Sequence, residues 1–150
     1  MLTADILHYI DRSVLCWLAT TDHEGQPNVS PKEVFTHFGE SHLLIANIAS
    51  PNTVRNLKSN HKVCVSFVDV LVQKGYQLKG TAELVYKKEE RFDQLAAPLL
   101  AITKGLYPFA SLTFVKIEHS KPIIAPSYRL YPEQSVEEKI ASAKKAYGLD

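Results

Sequence analysis

The sequence predicts a mainly β domain: a small closed antiparallel barrel of about six short strands with helices at its periphery. Three observations carry this expectation. Six short segments are either continuously apolar or alternate apolar and polar residues. The first of them follow one another through tight turns, which leaves no room for βαβ crossovers. Only a few segments have helical spacing, too few to cover both faces of an open sheet.

In chain order, Thr3 is placed to cap a short helix whose Ile6, Leu7 and Ile10 share one face. Val14 to Thr20 reads as a buried strand, with Trp17 in the core. His23-Glu24-Gly25-Gln26 is a turn, and Gly25 supplies the positive φ that a tight hairpin often needs. Asn28 to His37 reads as one strand and, after Gly39-Glu40-Ser41, His42 to Ile48 as the next. Ser50-Pro51-Asn52-Thr53 opens a helix, with Ser50 suited to the cap and Pro51 to the first turn. Val63 to Asp69 and Gly75 to Tyr86 alternate as strands. Glu89 to about Lys104 is helical in composition, with Pro98 expected to break or kink it. Ser111 to Glu118 is the last strand and Pro122 to Pro132 an irregular arm. Ser135-Val136-Glu137-Glu138 fits a capping box, opening a final helix with an apolar stripe of Val136, Ile140, Ala143 and Tyr147. Residues 1–150 read as one domain with an arm and helix from about 122 onward.

Composition narrows the function classes. Seventeen basic and sixteen acidic residues leave a net charge of +1, so no global field draws the chain to nucleic acid or to an anionic membrane. No apolar run approaches the roughly 20 residues of a membrane span. The amino terminus lacks a basic segment leading into an apolar one, so no signal peptide is expected. Cys16 and Cys64 read as buried, reduced thiols of a cytoplasmic protein. The six histidines are scattered without zinc-site spacing, and no metal is expected.

Two places can hold an anion. Ser30 and Lys32 share one face of the second strand, where a lysine either reaches solvent along its apolar stem or meets an anion. At the start of the central helix, Ser50, Asn52 and Thr53 bring side-chain donors to unpaired backbone N–H groups, with Arg55 one turn on. That start is a phosphate cradle or a plain cap.

Taken in order, Leu18-Ala19-Thr20-Thr21 with the Gly25 turn, Pro27-Asn28-Val29-Ser30-Pro31-Lys32, the run from Leu44 through Ser50-Pro51-Asn52-Thr53 to Leu57, Val63 to Asp69, Gly80-Thr81-Ala82-Glu83 and the tail Ser127 to Pro132 resemble the pyridoxamine 5′-phosphate oxidase-related, FMN-binding split-barrel family. The likeness covers nearly the whole chain. It implies a six-stranded split barrel that pairs with a twin, with FMN in a cleft between the subunits. By position, Ser30 and Lys32 match the strand along the flavin and its phosphate tail. Ala46 and Asn47 match the strand end whose backbone meets the isoalloxazine. Ser50, Asn52, Thr53 and Asn56 match the phosphate-binding helix start. Many relatives carry lysine where this chain has Asn52, so Arg55 or Lys32 has to compensate. The second strand has no arginine and the tail is tyrosine-rich, which argues against vitamin B6 oxidation. Tyr128 and Arg129, in an arm able to reach a partner's cleft, are the candidates for shaping a substrate site. The resemblance implies a flavin-dependent oxidoreductase. The alternatives are a flavin-binding module without catalysis, a relative that binds haem or a deazaflavin, and an interaction domain without cofactor.

Overall fold

The computed structural model describes residues 1–149. In chain order the elements are α1 (Ala4–Arg12), β1 (Cys16–Thr21), β2 (Pro27–Lys32), β3 (Phe35–Phe38), β4 (His42–Ala46), α2 (Pro51–Leu57), β5 (Lys62–Asp69), β6 (Lys74–Tyr86), α3 (Phe92–Thr103), β7 (Ser111–Ile124), α4 (Ser127–Leu130) and α5 (Val136–Tyr147). All seven strands belong to one antiparallel sheet in the order β2-β1-β5-β6-β7-β4-β3. The expected six strands become seven because the run from Asn28 to His37 divides at a bend, Glu33-Val34. Its first half pairs with β1 and its second half with β4, at opposite edges of the sheet. Two residues therefore join the two edges, and the Ala46 N–H reaches the Val34 carbonyl at 3.0 Å across the seam. The sheet curls into a split barrel.

Two apolar layers hold it. Inside the curl, Cys16, Leu18, Leu43, Ile45, Val65, Phe67, Leu78 and Val115 pack together, and Ile6 and Ile10 of α1 close one end. The Thr3 hydroxyl caps α1 by accepting the Ile6 N–H at 3.3 Å. Outside the curl, Phe92, Leu95, Ala96 and Leu99 of α3 cover Leu44, Ala46, Val85 and Leu112. β4 is thus buried on both faces, which is why it reads as continuously apolar. Pro98 lies within α3 without ending it. The hydrogen bond it removes is one among several in a helix anchored by its apolar face.

Four expectations are corrected. Trp17 is not in the core but 48% exposed. It alternates with the inward Cys16 and Leu18, and a short apolar run carries no record of which face is outward. Cys64 is only partly buried. The irregular arm begins later than expected, because β7 continues through Pro122 to Ile124 before α4 forms. On α5 the buried residues are Lys139 and Ala143, whereas Val136 and Tyr147 are exposed. The Lys139 ammonium satisfies the carbonyls of Tyr131 (2.7 Å) and Ser127 (3.3 Å), so this helix is anchored by polar contacts, while its apolar stripe stays largely outside. No helix among the described residues is long and apolar enough to cross a membrane.

Backbone approach at β6 is close. An added Cβ at Gly80 would stand 2.0 Å from the Lys116 carbonyl oxygen, at the register shift between β6 and β7. The following turn back from β5 depends on Asp69, whose carboxylate accepts the Leu71 and Val72 N–H groups at 3.1 and 3.2 Å and the Arg12 Nε at 3.1 Å. Asp69→Ala should cost about 2–4 kcal/mol in urea denaturation, because three donors lose a charged acceptor at once. Gly80→Ala should destabilise far more than Lys79→Ala, whose side chain is exposed; equal effects would show that the backbone can move apart there.

Candidate functional site

The site assembles where β2 meets α2. In the β1–β2 register Ser30 stands opposite Leu18 and Lys32 opposite Cys16, both inward residues. Ser30 and Lys32 therefore face α2 and not solvent, while Val29 and Pro31 point away. Three side-chain links fasten α2 there. Asn56 donates from Nδ2 to Thr20 Oγ1 at 3.0 Å, the Ser30 and Thr53 hydroxyls are 3.1 Å apart, and Lys32 Nζ donates to Ser50 Oγ. The Ser50 hydroxyl in turn donates to the Ile48 carbonyl at 2.9 Å. Its hydroxyl makes no cap bond, contrary to the capping role expected for it, because the lysine and Ile48 claim it. Before it, Ala49 is held at φ 48°, a left-handed conformation that a non-glycine residue adopts at a cost. With seven residues, α2 adds little dipole, so the charge of this site is that of Lys32.

Lys32 is 5% exposed. It forms no ion pair among the described residues. Burial lowers its pKa, with the adjacent Cys16 opposing that shift. The Cys16 thiol is itself pushed up to about 12 by burial, so near neutral pH it is no thiolate partner for the lysine. On the same face of β2, Asn28 Nδ2 is buried without a hydrogen-bond acceptor. Lys32 lines a cavity of about 290 Å³ together with Pro31, Glu33, Val34, Ala46, Ile48 and Tyr107. A lysine among the apolar Val34, Ala46 and Ile48 suits a ligand with an anionic end and an apolar body.

The residues expected at the site divide into groups. Ser30, Lys32, Ser50 and Thr53 come together, and Lys32 alone of them lines the cavity, with Ala46. Asn56 sits beside them, but its side chain is committed to β1. Asn47 is committed to β7, donating to Ser111 Oγ at 3.1 Å and accepting from Thr113 Oγ1 at 2.8 Å. Asn52 and Arg55 lie exposed on α2. Tyr128 and Arg129 stand elsewhere, at a separate cavity of about 440 Å³. There the Tyr128 hydroxyl donates to the Val72 carbonyl at 2.7 Å, and Lys74 Nζ lies 4.0 Å above the ring. Tyr107 was not singled out by the sequence, where no motif around it marks a site. No metal-binding group of histidine, cysteine and acidic residues forms among the described residues. His42 instead stacks on Phe114 at 4.5 Å.

The family model described as Pyridoxamine 5′-phosphate oxidase matches residues 2–128. Among solved structures, a candidate pyridoxamine 5′-phosphate oxidase from Lactobacillus delbrueckii is 26% identical, with a TM-score of 0.68 over 80% of this chain and 93% of that one. An FMN-binding protein from Syntrophomonas wolfei is 19% identical, with a TM-score of 0.64 over 81% and 88%. HutZ, the haem storage protein of Vibrio cholerae, is 21% identical, with a TM-score of 0.64 over 82% and 94%. The last two likenesses bear on the fold alone. No curated protein matches the chain in sequence.

The burial of Lys32 has a consequence for stability. Its folded pKa lies below the ordinary 10.5, so in that interval the unfolded chain binds more protons and stability rises with pH. Lys32→Met should stabilise the protein at neutral pH by about 1 kcal/mol, or roughly 2–4 °C in Tm, and should flatten that rise. Thermal melts across alkaline pH check it. A melting temperature that falls on substitution would mean the ammonium is compensated after all.

Proposed function

The chain belongs to the pyridoxamine 5′-phosphate oxidase family, and we propose that it binds FMN at the Lys32 cavity and works as a flavin-dependent oxidoreductase. The observation that carries this reading is the buried ammonium of Lys32, which has one hydroxyl partner and no carboxylate. A phosphate would supply the missing charge, and the residues present fit it. Lys32 gives the positive charge, and the Ser30–Thr53 pair keeps one hydroxyl proton free to donate within the same cluster. The committed amide of Asn47 leaves only backbone groups at that strand end for a flavin ring. Bound there, the flavin would supply the electron-transfer chemistry. The protein's own part is to hold the phosphate and to wall the ring with Val34, Ala46 and Ile48.

A second subunit belongs to the same proposal. Trp17 and Val29 are about half exposed on neighbouring strands of the outer face, and Val14, 80% exposed, lines a hollow together with Trp17. An apolar patch of this kind is rarely left to water. Tyr128 and Arg129 enter the reading only through such a partner, whose cleft the arm would approach. Two free cysteines suit a reducing compartment, and we place the protein in the cytoplasm. The reading does not extend to vitamin B6 phosphate oxidation, since β2 has no arginine. A haem reading has less support at this cavity, whose lining contains no histidine.

Fluorescence titration with FMN and riboflavin tests the proposal. Two or three charge-assisted hydrogen bonds to the phosphate should favour FMN on the order of a hundredfold. Lys32→Met should erase most of that preference and leave riboflavin unaffected. The affinity for FMN should also decline as pH rises past the lowered pKa of Lys32. Equal affinity for the two flavins would overturn the phosphate assignment, and a Soret band in the purified protein would favour haem. Light scattering should give twice the chain mass, and a Trp17→Asp, Val29→Asp double variant should shift it toward the monomer. A wild-type monomer that binds FMN tightly would remove the second subunit from the reading.

A further inference from the structure

The loop after α3 brings an aromatic ring to the Lys32 cavity. Lys104 and Gly105 both take left-handed conformations, at φ 51° and 72°, and turn the chain back at the end of the helix. Both ends of the loop are fastened. The Leu106 N–H reaches the Thr103 carbonyl at 3.0 Å, and Lys87 N–H reaches the Ala110 carbonyl at 2.9 Å. Phe109 packs on Phe92, with ring centroids 6.0 Å apart. Tyr107 lies between these anchors, 59% exposed, and it lines the cavity with Lys32, Val34 and Ile48. Such a ring contributes little to the core.

We infer that Tyr107 is the aromatic wall of this cavity and makes it select a planar ring joined to a phosphate over phosphate alone. The inference rests on the reading of Lys32 as the anion partner. An anion held at the buried ammonium brings whatever is attached to it past Val34 and Ile48 to the tyrosine. A flat aromatic body gains stacking there that a sugar or alkyl phosphate does not. Selectivity thus comes from one cation and one ring in the lining of the same cavity.

Titration calorimetry on wild type, Tyr107→Phe and Tyr107→Ala tests this with FMN, phenyl phosphate and inorganic phosphate. Tyr107→Ala should weaken both ring-bearing ligands by about tenfold, and Tyr107→Phe should keep most of their affinity, since the ring is retained. Inorganic phosphate should change by less than about twofold, having no ring to stack. Unchanged affinity for FMN and phenyl phosphate in Tyr107→Ala would overturn the inference. So would an equal loss for all three ligands, which would mean that the residue only shapes the loop. Lys32→Met separates the two readings. If phosphate binding depends on Lys32 while Tyr107→Ala is silent, only this inference falls. If wild type binds no phosphate, or binds it regardless of Lys32, the reading of the cavity falls with it.

Discussion

The closure of the sheet at Glu33-Val34 is the constraint on which the rest depends. β2 and β3 are consecutive in the chain, yet they lie at the two ends of the sheet order. A two-residue bend therefore has to span the seam, and the sheet must curl until its edges meet. Lys32 is the last residue of β2, so closure carries its side chain under the seam. There α2 covers it through Ser50, Thr53 and Asn56. Without closure the same lysine would lie on an edge strand and reach water along its stem.

Among the described residues three charged side chains are buried, and the contrast among them bears on function. Asp69 is met by Arg12 and two turn N–H groups. Lys139 is met by two carbonyls, with the Gln134 amide oxygen at 3.5 Å and the Tyr128 ring at 5.2 Å. Lys32 is met by one serine hydroxyl. Desolvating an ammonium costs several kcal/mol, and a single hydrogen bond to a hydroxyl returns about 1.5–3 kcal/mol of it. The chain compensates its structural charges and leaves this one short. The anion proposed at Lys32 would make up that deficit.

The two outer faces of the barrel are treated differently. On the side of β4, β6 and β7, α3 covers the sheet, and Leu44, Val85 and Leu112 are wholly buried. On the side of β1 and β2, Trp17 and Val29 stay about half exposed, with no described element over them. The outer side of β1 and β2 thus keeps an apolar surface exposed, whereas the side under α3 is closed by the chain itself.

The local chemistry of this protein is determined by its sequence. Alternation set the strands, Thr3 and Ser135 set two caps, and Ser30, Lys32, Ser50 and Thr53 were recognisable as anion-binding residue types at suitable spacing. The resemblance to a flavin-binding family was legible in the same segments. Tertiary structure decided what local pattern cannot encode. Whether Asn28 to His37 is one strand or two depends on which strands its halves pair with. Whether Trp17 is core or surface depends on which side of the sheet α3 occupies. Whether Lys32 is a surface lysine or a buried cation depends on the curl of the whole sheet. Tyr107 joined the site only because a loop separated from Lys32 by most of the chain folds back beside it. Periodicity records which residues share a face of their own element. Only packing between elements decides what that face meets.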